Sequence, residues 1–177
     1  MSSSFSKGLT KVEAGLKWDP APAGRPQHDL DLVTAVYDAS DPQGKPAYLV
    51  HFGSRSPDGT ITLNRDSKTG QGFGYDEVMV LELDRLSETY VRVVLGVAIQ
   101  QTQGDLTFGE TLNAAVRLRE GHTDLAHFDF AAIPRCTSAV LAEFTRDGGN
   151  HTWQLRPSFK GFDLDPAAFA LAMGAAV

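Results

Sequence analysis

Asp66 to Glu77 reads DSKTGQGFGYDE. Glycine stands at Gly70, Gly72 and Gly74, the stretch closes on Asp76 and Glu77, and it holds no aliphatic residue. Strand-like runs flank it, Thr60 to Asn64 before and Val78 to Leu83 after. Loops of this length between short strands are usually functional or mobile. Glycine reaches positive φ without strain, so the backbone can turn its carbonyls inward. Carboxylates add hard oxygen ligands, and the combination suits Ca²⁺ better than other common metals. The same residues also read as a glycine-rich hairpin whose acids only face water.

Outward from this loop the chain reads as strands. Val12, Ala14, Leu16 and Trp18 alternate, which predicts a first strand ending at Asp19. A proline-rich loop from Pro20 to Pro26 precedes a second strand over Leu30 to Tyr37, and a third covers Ala47 to Phe52. Ser56-Pro57-Asp58-Gly59 is a turn leading to the short strand before the glycine loop. After Val78 to Leu83, the β-branched run Tyr90 to Ile99 predicts a central strand, followed by a polar loop over Gln100 to Asp105. Further strands are expected at Leu112 to Leu118, Leu125 to Phe130 and Ser138 to Thr145. A hairpin turn at Asp147-Gly148-Gly149-Asn150 leads to a return strand from His151 to Phe159. Asp165 followed by Pro166 is an N-cap and first-turn pair, so Pro166 to Ala176 is read as a short helix. About ten short strands with regular turns predict an all-β antiparallel sandwich with a C-terminal helix, one domain over residues 1–177.

Composition narrows the partners. Hydrophobic residues make up 42% and charged residues 21%, ordinary values for a soluble globular chain. The net charge of -6 and pI of about 5.3 argue against nucleic acid, which wants a basic stripe. A single cysteine, Cys136, excludes an intramolecular disulfide and a paired-cysteine zinc site. The N-terminal MSSSFSKGLT lacks a signal-peptide pattern, and no apolar run reaches the length of a membrane span, so a cytoplasmic location is expected.

The acids are the residues that could carry chemistry. Asp29 and Asp31 are two apart in an extended segment, so they share a face. Two carboxylates about 5 Å apart repel by roughly 3 kcal/mol at an effective dielectric near 20. An inward pair therefore needs a proton, a basic side chain or a metal; an outward pair needs only water, Arg25 or Arg65. If the first two strands pair as a hairpin, Asp19 returns near Asp29; otherwise Asp19 is a turn residue. The glycine loop is not an EF-hand, because Lys68 and Gly70 fall where acids or amides belong and Gln71 falls where glycine belongs. No Gly-Lys-Ser/Thr follows it, which excludes a P-loop. None of the five histidines has zinc spacing, and no nucleophile elbow is present. Arg135 beside Cys136 offers a slight lowering of the thiol pKa, but a buried or incidental thiol is expected, and Phe73 is expected to be exposed at the loop tip.

These motifs together resemble the TerD family of bacterial tellurium-resistance and stress proteins, over nearly the whole chain. Gly15-Leu16-Lys17-Trp18-Asp19 looks like the family's Gly-Leu-x-Trp-Asp, and His28-Asp29-Leu30-Asp31 like its Phe-Asp-Leu-Asp. Ser56-Pro57-Asp58-Gly59 is similar to a turn common in the family, and Asp66 to Glu77 resembles the signature Asp-Asn-x-Thr-Gly-x-Gly-x-Gly-Asp-Asp-Glu. Phe108-Gly109 and Asn113-Ala114 are similar to later family pairs. The resemblance implies a β-sandwich that binds one or two Ca²⁺ ions at one end. It implies a role in tolerance of tellurite, oxidants, phage or envelope stress. It also implies a non-enzymatic binding or scaffold protein, peripheral at the inner membrane beside an integral membrane partner or other stress-complex proteins. Ligands carried over are Asp29, Asp31, Asp66, Asp76 and Glu77 by carboxylate, and Ser67, Thr69 and Gly72 by hydroxyl or carbonyl oxygen, with Asp19 as a further member. The chain departs from the family at His28, Arg65, Ser67, Gln71 and Tyr75, and the last removes one carboxylate. The alternatives are a degenerate site whose acids pair with Arg65 and Lys68, serving protein contacts alone, and a Ca²⁺-dependent adaptor at an anionic membrane.

Overall fold

The computed structural model describes residues 8–101, 106–149 and 151–175. The N-terminal segment with Phe5, residues 102–105 of the polar loop, Asn150 of the hairpin turn, and Ala176 and Val177 of the tail lie outside the described residues. Ten strands and one helix follow in chain order: β1 Lys11–Lys17, β2 Leu30–Asp38, β3 Tyr48–Val50, β4 Ile61–Arg65, β5 Glu77–Glu82, β6 Tyr90–Ile99, β7 Ala115–Glu120, β8 Thr123–Asp129, β9 Ser138–Arg146, β10 Trp153–Phe162 and α1 Pro166–Ala172. They form two five-stranded antiparallel sheets, ordered β4-β5-β1-β7-β8 and β10-β9-β6-β2-β3, so the expected sandwich is the observed fold. Three short 3₁₀ turns, Leu83–Arg85, Phe108–Glu110 and Phe130–Ala132, add to these, the second opened by a Thr107–Glu110 capping box and the third by Asp129.

The burial pattern explains each strand's composition. On β1, Val12, Ala14 and Leu16 point into the space between the sheets while Lys11, Glu13 and Lys17 face water. β6 is covered on both faces, which is why its sequence runs almost without polar residues. Val93, Leu95, Val97 and Ile99 join the main core; Val94 and Ala98 join a smaller cluster with Val33, Ala35, Tyr37, Phe169 and Met173 under α1. Asp165 caps α1 by accepting from Ala168 N at 2.8 Å. Buried Arg92 anchors the residues beyond the helix. It donates to Glu143 Oε2 at 2.8 Å and to Gly174 O at 2.7 Å, and its guanidinium lies over the Tyr37 ring.

The first two strands do not form a hairpin. β1 pairs with β5 and β7, whereas β2 lies in the other sheet between β3 and β6. The proline-rich loop therefore crosses between sheets. The third strand is also shorter than expected. β3 covers only Thr34, Ala35 and Val36 of β2, and the chain then turns at His51, where Ser54 N and O bond back to it.

Close packing of α1 on its sheet depends on Gly96. A Cβ there would stand 2.6 Å from Phe169 Cζ and 2.8 Å from the Ala139 carbonyl. Gly96→Val is expected to lower unfolding stability by about 1–3 kcal/mol. The urea midpoint measures it, and an unchanged midpoint would show that α1 contributes little to the folded state.

Candidate metal centre

Short β3 leaves the Leu30–Val33 flank of β2 without a strand neighbour, so its backbone donors need other partners. Glu77, at the start of β5 in the opposite sheet, supplies one: its Oε2 accepts from Leu32 N at 2.6 Å. Asp31 sits beside it on β2, and its Oδ2 accepts from Gln100 Nε2 at 2.6 Å. The glycine loop brings Asp66 to the same place. One carboxylate oxygen each from Asp31, Asp66 and Glu77 lie within 4.8 Å of one another. Asp31 is 2% exposed and Glu77 fully buried, while Asp66 is open to solvent. The cluster therefore runs from the core to water.

Asp29 borders this group. Burial pushes its carboxyl up to about 7, helped by the charges of Asp31 and Asp66 and opposed by Lys68. Its Oδ1 is buried without a donor. Burial also raises Asp31, against the hydrogen bonds from Glu77 and Gln100. Glu77 is pushed up to about 11, first by burial and then by the Asp31 charge, and its Oε1 finds no donor. Each pair of charges at about 5 Å repels by roughly 3 kcal/mol at an effective dielectric near 20. Such a group holds protons, or it holds a cation. The donors are all carboxylate oxygens, and two of the buried ones lack partners, so the residues fit a hard divalent ion.

The other expected ligands make the following contacts. Asp76 precedes Glu77 at a bend just before β5 and takes other partners. Its Oδ2 accepts from Trp18 N at 2.9 Å, and the charges it feels are Arg65, Lys17 and Asp19. Asp19 in turn accepts from Asn113 Nδ2 at 2.7 Å. Asp19 and Asp76 thus form a second acidic pair, apart from Asp31, Asp66 and Glu77. Ser67 Oγ accepts from Gly70 N and Thr69 N and closes the loop on itself, and Thr69 Oγ1 accepts from Gln71 N. Gly72 has φ +116 and lies under Arg65. Arg65 donates to Phe73 O, and among the described residues neither Arg65 nor Lys68 forms an ion pair with the acids. Tyr75 points away from the cluster and covers Gly15, where a Cβ would stand 2.7 Å from its ring. Phe73 is 97% exposed. Cys136 is half-buried, and burial pushes its thiol up, with the Asp163 charge adding to it.

Sequence reasoning did not find Trp18 or Gln100. Trp18 is a post for three loops: its indole donates to His28 O at 2.9 Å, its N–H to Asp76, and Gly70 packs on its ring at a distance that excludes a Cβ. Gln100 follows β6 at the level of Asp29, whose carbonyl accepts from its N–H at 2.9 Å, visible only once the β2–β6 register is known.

The TerD domain profile matches residues 2–172 of this chain. A solved structure of SCO6318 from Streptomyces coelicolor A3(2), described as a homologue of telluride resistance protein TerD, superposes with a TM-score of 0.93 at 47% identity, covering 96% of this chain and all of that one. The crystal structure of SAV2460, a protein of unknown function, gives the same TM-score at 54% identity, covering 97% and 100%. The tellurium resistance protein TerD of Alcaligenes sp is 27% identical across 92% of each chain.

The raised carboxyls fix the sign of a pH dependence. An acid whose folded pKa exceeds its unfolded value binds protons more tightly when folded, so its stabilisation is complete below the unfolded value and lost as pH rises toward the folded one. For Asp29 that window runs from 3.8 to about 7, and for Glu77 from 4.5 to about 11. Chelator-treated protein is expected to lose stability as pH rises from about 5 to about 8, by up to about 1.4 kcal/mol per unit for each proton released. Urea titrations across that range measure the slope, which should flatten in Glu77→Gln. A slope of opposite sign would mean that the acids are ionised and solvated.

Proposed function

The chain belongs to the TerD family, and from that premise we propose that it is a Ca²⁺-binding module of a bacterial tellurite or chemical stress response, acting as a binding or scaffold protein. The stress-response assignment follows the names of its relatives, which include tellurium resistance proteins of Serratia marcescens and the stress response protein SCP2 of Bacillus subtilis. The observation that carries the metal reading is the meeting of Asp31, Asp66 and Glu77, with Glu77 Oε1 and Asp29 Oδ1 buried and unpartnered. These residues would hold the ion, and a second one would fall to Asp19 and Asp76. When bound, the ion supplies the positive charge that lets the carboxylates stay ionised together. Asp31 and Glu77 are held ready by Gln100 and the Leu32 N–H, while Asp66 rides on the glycine loop. The ion thus couples loop position to the rigid sheets.

Phe73 favours a second reading, a Ca²⁺-dependent adaptor at an anionic membrane. It stands fully exposed on the loop that carries Asp66, beside Arg65 and Lys68, and loop glycines Gly70, Gly72 and Gly74 all have positive φ. Among the described residues no helix is long and apolar enough to cross a membrane, so such an association would be peripheral.

Adding Ca²⁺ to chelator-stripped protein is expected to raise the melting temperature, with about 2.7 kcal/mol of stabilisation at a hundredfold excess over the dissociation constant. Calorimetric titration should show binding that Glu77→Gln and Asp31→Asn each weaken. Melting unmoved by millimolar Ca²⁺ would overturn the metal reading. For the adaptor, Phe73→Ser should leave the calorimetric titration unchanged and reduce sedimentation with phosphatidylglycerol vesicles in Ca²⁺. Equal sedimentation of both proteins would remove Phe73 from that role.

A further inference from the structure

A trough of about 460 Å³ runs between α1 and the unpaired flank of β2. Its walls are Val33, Leu49, Phe52, Ala167, Ala170 and Leu171, and its polar end is Asp31 with Gln100. Asp31 shares a face with Val33 by strand alternation. It also belongs to the acidic group with Asp66 and Glu77, so the trough opens directly beside the candidate metal centre. Two of its lips are large apolar side chains left in water: Phe52 is 55% exposed and Leu171 70%. On the helix side, Ala167 and Ala170 present only methyl groups, which is what gives the trough its depth.

We propose that this trough binds a single-chain amphiphile with an anionic head, such as a medium-chain carboxylate, and that bound Ca²⁺ recruits the head. The inference rests on the Ca²⁺ reading above. The volume is that of a small-molecule site, largely apolar with a few polar groups at one end. A helix of seven residues bounds it, about 10 Å of length, too short a face for the ~1,000 Å² that a stable interface between copies of the chain needs. Among the residues that line it, Asp31 alone carries a charge, because burial keeps the neighbouring His51 below its ordinary pKa and its Nδ1 accepts from Gly53 N. Without an ion, Asp31 offers an anionic head no attraction. A divalent ion held by Asp31, Asp66 and Glu77 reverses that, because these acids, counted at one oxygen each, fall short of the six to eight that Ca²⁺ takes. A carboxylate head at the mouth of the trough supplies further oxygens, and its chain lies against Val33, Leu49 and Leu171.

The test is displacement of anilinonaphthalene sulfonate fluorescence by decanoate, on the full chain with Ca²⁺ or with chelator, alongside Ca²⁺ calorimetry. Decanoate should displace the dye in Ca²⁺ and do so about tenfold less well in chelator, while decylamine gains nothing from the ion. Ala167→Trp, at an exposed position, fills the trough and should weaken decanoate about tenfold; Leu171→Glu should do the same by repulsion; Leu112→Glu, an exposed leucine outside the trough, should change nothing. Decanoate affinity that is unaltered in Ala167→Trp and Leu171→Glu, or equal in Ca²⁺ and chelator, overturns the proposal. So does displacement by phosphatidylglycerol vesicles with none by decanoate, which would point to a membrane surface instead. Calorimetry separates the two levels: Ca²⁺ binding without decanoate binding overturns this inference alone, whereas absent Ca²⁺ binding overturns the reading beneath it.

Discussion

The Leu32 N–H on the bare flank of β2 needs an acceptor, and the molecule meets that need with a carboxylate from the opposite sheet. A backbone carbonyl would have satisfied the donor without bringing in charge. Glu77 does bring charge, into a place where it is fully buried and where Asp31 already stands. The one contact ties the two sheets together at this end and creates an acidic site that is stable only with protons or a cation. The shortness of β3 is what makes it necessary.

Around that contact the loops are held by Trp18 rather than by one another. Its backbone and indole N–H groups take Asp76 and His28 O, and Gly70 lies flat on its ring. The departures from the family pattern fall mostly outside Asp31, Asp66 and Glu77. Tyr75, where the family has an acid, covers Gly15 and faces Arg117, which it and Asp124 hold above the usual arginine range. Arg65 grips the Phe73 carbonyl and so sets the loop tip. The substitutions that looked most damaging to a metal site therefore reshape its surroundings and leave the buried acids in place.

Sheet two is used on both faces. Its inner face fills the core, and its outer face carries α1, fixed by Phe169 against Gly96 and by Arg92 on the Gly174 carbonyl. Because α1 is short and alanine-rich, it covers the sheet incompletely and leaves the trough beside Asp31. Acidic group, loop and trough thus meet at one end of the sandwich, which also carries exposed Phe73.

Much of this was legible in the residues. Alternation on β1, the β-branched run of β6, the proline and glycine turns, and the Asp165-Pro166 start of α1 each have a local cause, so the strands, the helix and the sandwich class could be read directly. The spacing of Asp29 and Asp31 and the acids closing the glycine loop marked where charge would gather. What pairing decided was which acids meet. Asp76 and Glu77 are neighbours in sequence, yet one bonds to Trp18 and the other to Leu32. Asp19 stands among the charges around Asp76, and β1 and β2 belong to different sheets. The place of Gln100, the length of β3 and the trough under α1 depend on register and on contacts between distant segments. Local sequence carries no information about these, because burial and hydrogen bonding across the sheets determine them.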